Sequence, residues 1–543
     1  MERCLQDGRL KAPEGNGQIL VEPSADVVSD LLSCEDSRER SDYDLQGRPL
    51  AVLAREAQAE LLVQGQRYTS QYRDVDIPDN IESPPIFLAG HQPQLFHSGV
   101  WFKNFTLGAL ARRHDAVAVN LLIDNDTVRS ASVRVASGSV DAPRYESVPL
   151  DQSTIEVPYE QRSIADPQCF QNFGRLATET TRGLVANPLV KRWWPDVIAR
   201  SRENENLGQC LAQARHQLEA QWGLDSLEVP LSQVCQLEAF FWFAAHVLAQ
   251  LPRFWEIYNS GLAEYRARYR VRSRSHPAAD LSSRSGWLES PFWIWTNEAP
   301  QRKPLFARQR GDEIVLSDRS QLEFPLALTP EGEATKAVEQ LWELAQRGVK
   351  IRTRALVTTM FARLLLGDLF VHGIGGAKYD RLTDRLTARF FGVTPAPFIA
   401  VSATLLLPIQ RPRVDDRDDR KLGQQLRELA FHPEKHITPM QLDDPGGKAP
   451  GGKEAVEELI QNKRAWVHNP PRDATPLQRH LEITRVNQAL QPWLADQRTD
   501  LIQKRQALDA QLKAERILSS REYAFCLFPE EPLRDLMNEA RSG

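Results

Sequence analysis

Residues Pro85 to Asp126 read PIFLAGHQPQLFHSGVWFKNFTLGALARRHDAVAVNLLIDND, and their pattern changes three times. PIFLA (85–89) is a short apolar run bounded by prolines and a glycine, the pattern of a buried strand. VWFKNFTLGALARR (100–113) has apolar residues at helical spacing. AVAVNLLI (116–123) is a second buried strand, stopped by Asp124-Asn125-Asp126. Strand, loop, helix and strand in this order make a βαβ unit.

The pattern recurs. ALVTTMFARLLL (355–366) reads as a helix, DLFVH (368–372) as a strand and GIGGAK (373–378) as a glycine loop. YDRLTDRLTARFF (379–391) reads as a helix and PFIAVSATLLL (397–407) as a strand. Strands alternating with helices predict an α/β fold, Rossmann-like, with a mostly parallel sheet covered on both faces. Residues 1–83 read as an irregular, partly helical lead-in with one helix from Leu50. The core is expected over 84–410, with a mixed insertion around 150–350 that includes strands at PFWIWTN (291–297) and EIVLSD (313–318). A helical coiled-coil domain is expected over 411–520. Pro492 should interrupt its long helical text, and Lys421–Phe431 is a candidate partner for the arm after it. The apolar tail 521–543 is expected to dock back on the core.

The 543 residues hold 67 basic and 72 acidic side chains, a net charge of −5. No basic field argues for nucleic acid or an anionic membrane. The first residues, MERCLQDGRLKAPEGNG, contain no apolar run, so no secretory signal is expected. LEAFFWFAAHVLAQL (237–251) is shorter than the roughly 20 residues a membrane span needs and reads as a buried helix. The six cysteines are widely spaced, which suits reduced thiols in a cytoplasm. The basic, tyrosine-bearing YRARYRVRSRS (265–275) reads as a solvated helix end; a polyanion site there is the weaker reading.

Ligands of open parallel sheets bind beyond the carboxyl ends of the strands. That selects Gly90-His91-Gln92, Asp124-Asn125-Asp126 and Gly373-Ile374-Gly375-Gly376. His91 and His97 have no metal-site spacing, so no metal is expected. GIGGAK begins like a dinucleotide fingerprint but has Lys378 in its sixth place; a glycine turn with a lysine counter-charge remains. GKAPGGKE (447–454) is close to a phosphate-binding loop, but Glu454 replaces the hydroxyl and no strand precedes it, so it reads as a linker. Asp124 and Asp126 are the candidate general bases.

The same loops resemble the bacillithiol synthase family, the cysteine ligases of bacillithiol biosynthesis. That family has Gly-Gln-Gln-x-x-Leu-Phe where this chain has Gly90-His91-Gln92-Pro93-Gln94-Leu95-Phe96. The family's next strand ends Glu-Asp-His-Asp; here Ile123-Asp124-Asn125-Asp126 follows. Ile351-Arg352-Thr353, Gly375-Gly376 and Ser402-Ala403-Thr404-Leu405 keep the order of the later family block, and the helical arm falls in the right place. The resemblance implies a cytoplasmic, homodimeric enzyme that forms an amide between cysteine and an aminosugar conjugate such as glucosaminyl-malate. An activated carboxylate implies ATP or ADP as the candidate cofactor. Gly90, Gln92, Asn125, Gly375, Gly376, Lys378 and Ser402 would then hold the ligand. Asp124, Asp126 and His91 would handle the amine, and Arg352 would pair with a carboxylate or phosphate. The departures at His91, Ile123 and Asn125 keep a second reading open, a binding or assembly protein with the same fold and arm.

Overall fold

The computed structural model of the chain describes residues 10–33, 42–75, 84–128, 131–410, 414–438 and 452–542. They fall into two compact units. Unit 1 is Met1–Val135, Glu146–Pro408 and Arg521–Gly543; unit 2 is Ala136–Tyr145 and Ile409–Ser520.

Unit 1 is mixed α/β. Its strands, with the hairpin that reaches unit 2, are β1 (Ile19–Glu22), β2 (Ile86–His91), β3 (Val117–Leu122), β4 (Ser132–Gly138), β5 (Pro143–Pro149), β6 (Leu227–Pro230), β7 (Ser283–Arg284), β8 (Trp287–Thr296), β9 (Lys303–Arg310), β10 (Glu313–Ser317), β11 (Glu323–Leu326), β12 (Val349–Thr353), β13 (Leu369–His372) and β14 (Phe398–Ala403). The main sheet has the order β1-β14-β13-β2-β3-β6. Its pairs are parallel except that of β1 with β14. From β2 the chain builds outward through β3 and β6, then returns to the other side of β2 for β13 and β14. The strand order therefore reverses between β2 and β13.

The apolar runs are continuous because both faces of this sheet are covered. Ile86 and Leu88 share one buried cluster with Leu53 and Leu61 of the helix Leu50–Thr69. Phe87, one residue out of phase, turns to the other face and meets His114, just past the helix Ser98–Arg113. LEAFFWFAAHVLAQL forms the helix Glu238–Ala249, buried from Ala239 onward.

Two expectations are corrected. The lead-in is not merely irregular and helical: β1 pairs with β14 and closes the edge of the main sheet. GIGGAK is not a loop. Gly373 is the N-cap residue, and both later glycines lie in the first turn of the helix Ile374–Phe391. Leu382, Leu386 and Phe390 bury that helix at four-residue spacing, so packing outweighs the poor helix propensity of glycine. The preceding helix, Ala355–Phe361, continues as a π turn over Ala362–Leu366.

A second sheet, β11-β10-β9-β8-β12 with β7 beside β8, is antiparallel and contains the strands expected near 291 and 313. The helix Leu251–Tyr269 ends in the basic stretch. There Arg266 bonds Asp280 at 2.6 Å and the carbonyls of Arg274 and Ala278, all within its own loop. The tail returns to unit 1: the Phe525 amide donates to the Phe96 carbonyl at 2.8 Å, and its ring lies 4.3 Å from that of Trp101. Among the described residues no helix is long and apolar enough to cross a membrane.

Unit 2 is helical apart from its share of the hairpin of β4 and β5. Asp416–Phe431 packs on Ala495–Leu518, with Asp419 and Arg505 paired at 2.8 Å, and Gly452–His468 packs on Pro476–Leu490. A 3-10 turn at Gln491–Leu494, carrying Pro492, separates the last two helices. Most of GKAPGGKE, 447–451, lies outside the described residues; Gly452 opens a helix.

Candidate functional site

The strand-order reversal brings the ends of β2 and β13 side by side, and three nitrogen-bearing side chains meet there. The first is Lys103. The chain leaves β2 through the 92–97 turn and enters the helix Ser98–Arg113, which returns Lys103 beneath the strand end. Its Nζ donates to the Gly90 carbonyl at 2.6 Å. The residue is 2 % exposed, and among the described residues that carbonyl is its one hydrogen-bond partner, with no carboxylate in ion-pair range. Burial, and secondly the Arg215 guanidinium, pull its pKa down to about 7, against the attraction of Glu219.

The second is His91, half-buried at the end of β2. Its Nδ1 lies 3.2 Å from the Gln92 carbonyl and its ring packs edge-on against Phe96. Burial first, and then the Lys103 charge, push it down to about 3, so the ring is neutral.

The third is His372, the last residue of β13. Its Nε2 lies 2.8 Å from Asp380 Oδ2. Asp380 also accepts from Arg363 Nη1 at 2.6 Å and Thr359 Oγ1 at 2.6 Å. Despite its burial, Arg363 and then His372 hold that carboxyl well below the usual range. An ionised carboxylate only accepts, so the His372 proton sits on Nε2 and Nδ1 is left as an acceptor. Burial lowers the His372 pKa, and the Asp380 charge opposes it.

Two helix N-termini flank this edge, and they differ. That of Ser98–Arg113 is filled: the His97 ring accepts from the Gly99 amide at 3.1 Å, and a Cβ on Gly99 would come within 2.3 Å of the Ala403 carbonyl. That of Ile374–Phe391 has no side-chain cap, and a Cβ on Gly373 or Gly375 would meet nothing within 4 Å. Its free amides suit an anionic group such as a phosphate or carboxylate.

The residues singled out from sequence fall into two groups. Gly90, His91 and Gln92 at the end of β2 share the edge with Gly375 and Gly376. Lys378 is exposed one turn further along the same helix. Ser402, at the end of β14, is already engaged and accepts from Arg521 Nη2 at 3.0 Å. The other group surrounds Glu160. Arg352 is buried and forked onto Glu160 at 3.0 and 2.9 Å, so its carboxylate partner is internal. Asn125 donates to the Thr353 carbonyl at 2.8 Å. Asp124 accepts from the Ser232 amide at 2.8 Å and from its hydroxyl at 2.5 Å. Burial, and then Glu160, raise Asp124 to about 7.

Asp126 joins the two groups, accepting from Gln92 Nε2 at 3.1 Å and pairing with Arg302 at 3.0 Å. Its side chain is 41 % exposed. Asp126→Ala is accordingly expected to lower stability by less than about 1 kcal/mol, read as the shift in the urea midpoint.

Lys103, His372, Asp380 and Glu160 were not singled out from sequence. A signal for two of them exists: a histidine closes the strand LFVH directly before a glycine, and an aspartate follows eight residues on, two turns along the next helix. Elsewhere in the core His216, Glu219 and Glu228 gather at metal-binding spacing. Arg215 pairs with both carboxylates and takes the cation's place. No family model and no curated protein matches the chain.

Proposed function

We propose that the chain is a bacillithiol-synthase-like enzyme that forms an amide between cysteine and the amine of an aminosugar conjugate such as glucosaminyl-malate. It works in the cytoplasm, on a Rossmann-like core, as a dimer through a coiled-coil arm. The observation that carries the reading is the meeting of Lys103, His91, His372 and the uncapped helix Ile374–Phe391 at the strand-order reversal. Lys103 and the helix amides suit the carboxylates of such a substrate or the phosphates of ATP. Beside the β2 loop a cavity of about 130 Å³, lined in part by Gln94, Leu95 and Tyr159, gives room for a small group.

One observation favours the second reading, a small-molecule-binding or assembly protein. Asp124 and Arg352 are both spent on internal partners, which removes them from ligand chemistry.

Calorimetric titration of the full chain with cysteine, glucosaminyl-malate and ATP separates the two, with mass-spectrometric detection of the condensed product. The ligase reading expects binding of glucosaminyl-malate or ATP that Lys103→Met weakens at least tenfold, and a product from the three together. Binding without product favours the second reading. No binding by any of the three overturns both the substrate and the site.

A further inference from the structure

We infer that His372, held by Asp380, is the proton acceptor of this site and takes the proton of the attacking amine on Nδ1. The inference rests on the ligase reading and adds a catalytic residue to it. Three features converge on Nδ1. Asp380, itself pinned by Arg363 and Thr359, fixes the tautomer and the ring plane. Phe370 stacks on the ring at 4.3 Å and Phe398 meets it edge-on, so the ring cannot swing. Nδ1 itself has no hydrogen-bond partner among the described residues and points at Gly376, where a Cβ would lie 2.6 Å from it. A satisfied structural histidine would use both nitrogens; this one uses one and turns the other to the uncapped helix turn.

The charged groups facing the ring are Asp380, Arg363 and Lys103. Burial first, with Arg363 and Lys103 adding to it, disfavours the imidazolium before the substrate arrives, and Asp380 stabilises it afterwards. The step is a single proton transfer. One N–H bond of the substrate ammonium breaks, its electron pair stays on nitrogen, and the proton joins Nδ1. The Nε2 proton remains shared with Asp380. Gly376 is a positioning residue, since any side chain there would press on Nδ1.

The test uses diethyl pyrocarbonate, which acylates neutral accessible imidazole nitrogens, with mass spectrometry on the full chain. His372 is expected to be modified at a rate that falls less between pH 8 and pH 6 than that of an exposed histidine, and to be protected by glucosaminyl-malate. Gly376→Ala puts a methyl group 2.6 Å from the pinned Nδ1, so overpacking should lower its melting temperature; it is read at a temperature where the variant is still folded, and there modification of His372 should stop. In single-turnover condensation of cysteine with glucosaminyl-malate and ATP, both His372→Gln and Gly376→Ala should lose on the order of 10²–10⁴ in rate. A His372→Gln rate within threefold of wild type overturns the inference. So does a His372 that stays unmodified in the folded chain while exposed histidines react. If wild type yields no condensation product, the ligase reading fails by itself. Modification that Gly376→Ala abolishes would then still support the accessible, neutral Nδ1 on which the inference is built.

Discussion

Lys103→Met is expected to make the protein more stable, by about 3–5 kcal/mol at pH 6, while weakening its binding of anionic ligands. The sign follows from the pairing. Burying an ammonium with one neutral acceptor and no carboxylate is unfavourable, and the folded protein answers by lowering its pKa to about 7. A lysine whose folded pKa lies below its unfolded value costs stability at any pH below the unfolded value. The cost is complete below the folded one. Stability of the wild type should therefore rise between about pH 7 and pH 10, where the unfolded chain still holds a proton that the folded chain has lost. Methionine keeps the volume and removes the charge, so the variant should lack that rise. Urea midpoints of both proteins at pH 6, 8 and 9.5 read the difference. Equal midpoints at pH 6 would mean that Lys103 has a counter-charge in solution, and the anion-receiving role would fall with it. Buried groups whose charge is uncompensated cluster at functional sites, and Lys103 has that character.

The two βαβ units were legible in the sequence because each buried strand is a short apolar run bounded by proline, glycine or aspartate. Both faces of such a strand are covered, so no alternation blurs it. β1 was not legible: ILVE is four residues, and nothing local says that it will pair with a strand nearly four hundred residues away. GIGGAK misled because local propensity favours a turn while the anchors of its helix, Leu382 to Phe390, lie beyond the glycines. The site was half legible. Gly90 and His91 end β2, and Gly375 and Gly376 lie in the first turn of the helix after β13, so the edge rule points to the place where they gather. Asp124 and Arg352 have the composition of a site, but their partners Ser232 and Glu160 are remote in sequence, so their internal use could not be read. Lys103 was hidden for the opposite reason. Nothing local in VWFKNF marks the lysine, and only the return of that helix against β2 buries it.

Arg215→Met is the counterpart of Lys103→Met, with the sign reversed. The helix Leu207–Gln221 presents Arg215 and Glu219 one turn apart to Glu228 of β6, and all three are nearly inaccessible. Arg215 Nε lies 3.2 Å from Glu219, and its Nη2 bonds Glu228. Trp101 and Asn104 add donors to Glu219 at 2.6 and 3.0 Å, and Asn120 adds one to Glu228 at 2.6 Å. Removing the guanidinium leaves two carboxyl groups in one sealed space. The expected loss is about 3–5 kcal/mol at pH 7.5, the cost of breaking a buried pair from one side. Burial already raises Glu228 to about 7 with Arg215 opposing it, so without Arg215 its pKa goes higher. A carboxyl whose folded pKa exceeds its unfolded value makes the fold bind the extra proton. Stability then rises as pH falls through the folded value toward the unfolded one near 4.3. The deficit of the variant should therefore shrink between pH 7.5 and pH 5.5, and urea midpoints at those two values measure it. A deficit equal at both would show that the carboxylates reach water and that the network is not sealed. Arg215 is also the second cause of the low pKa of Lys103, after burial. The two substitutions combined should depart from additivity, because with Arg215 gone the Glu219 charge is free to attract Lys103.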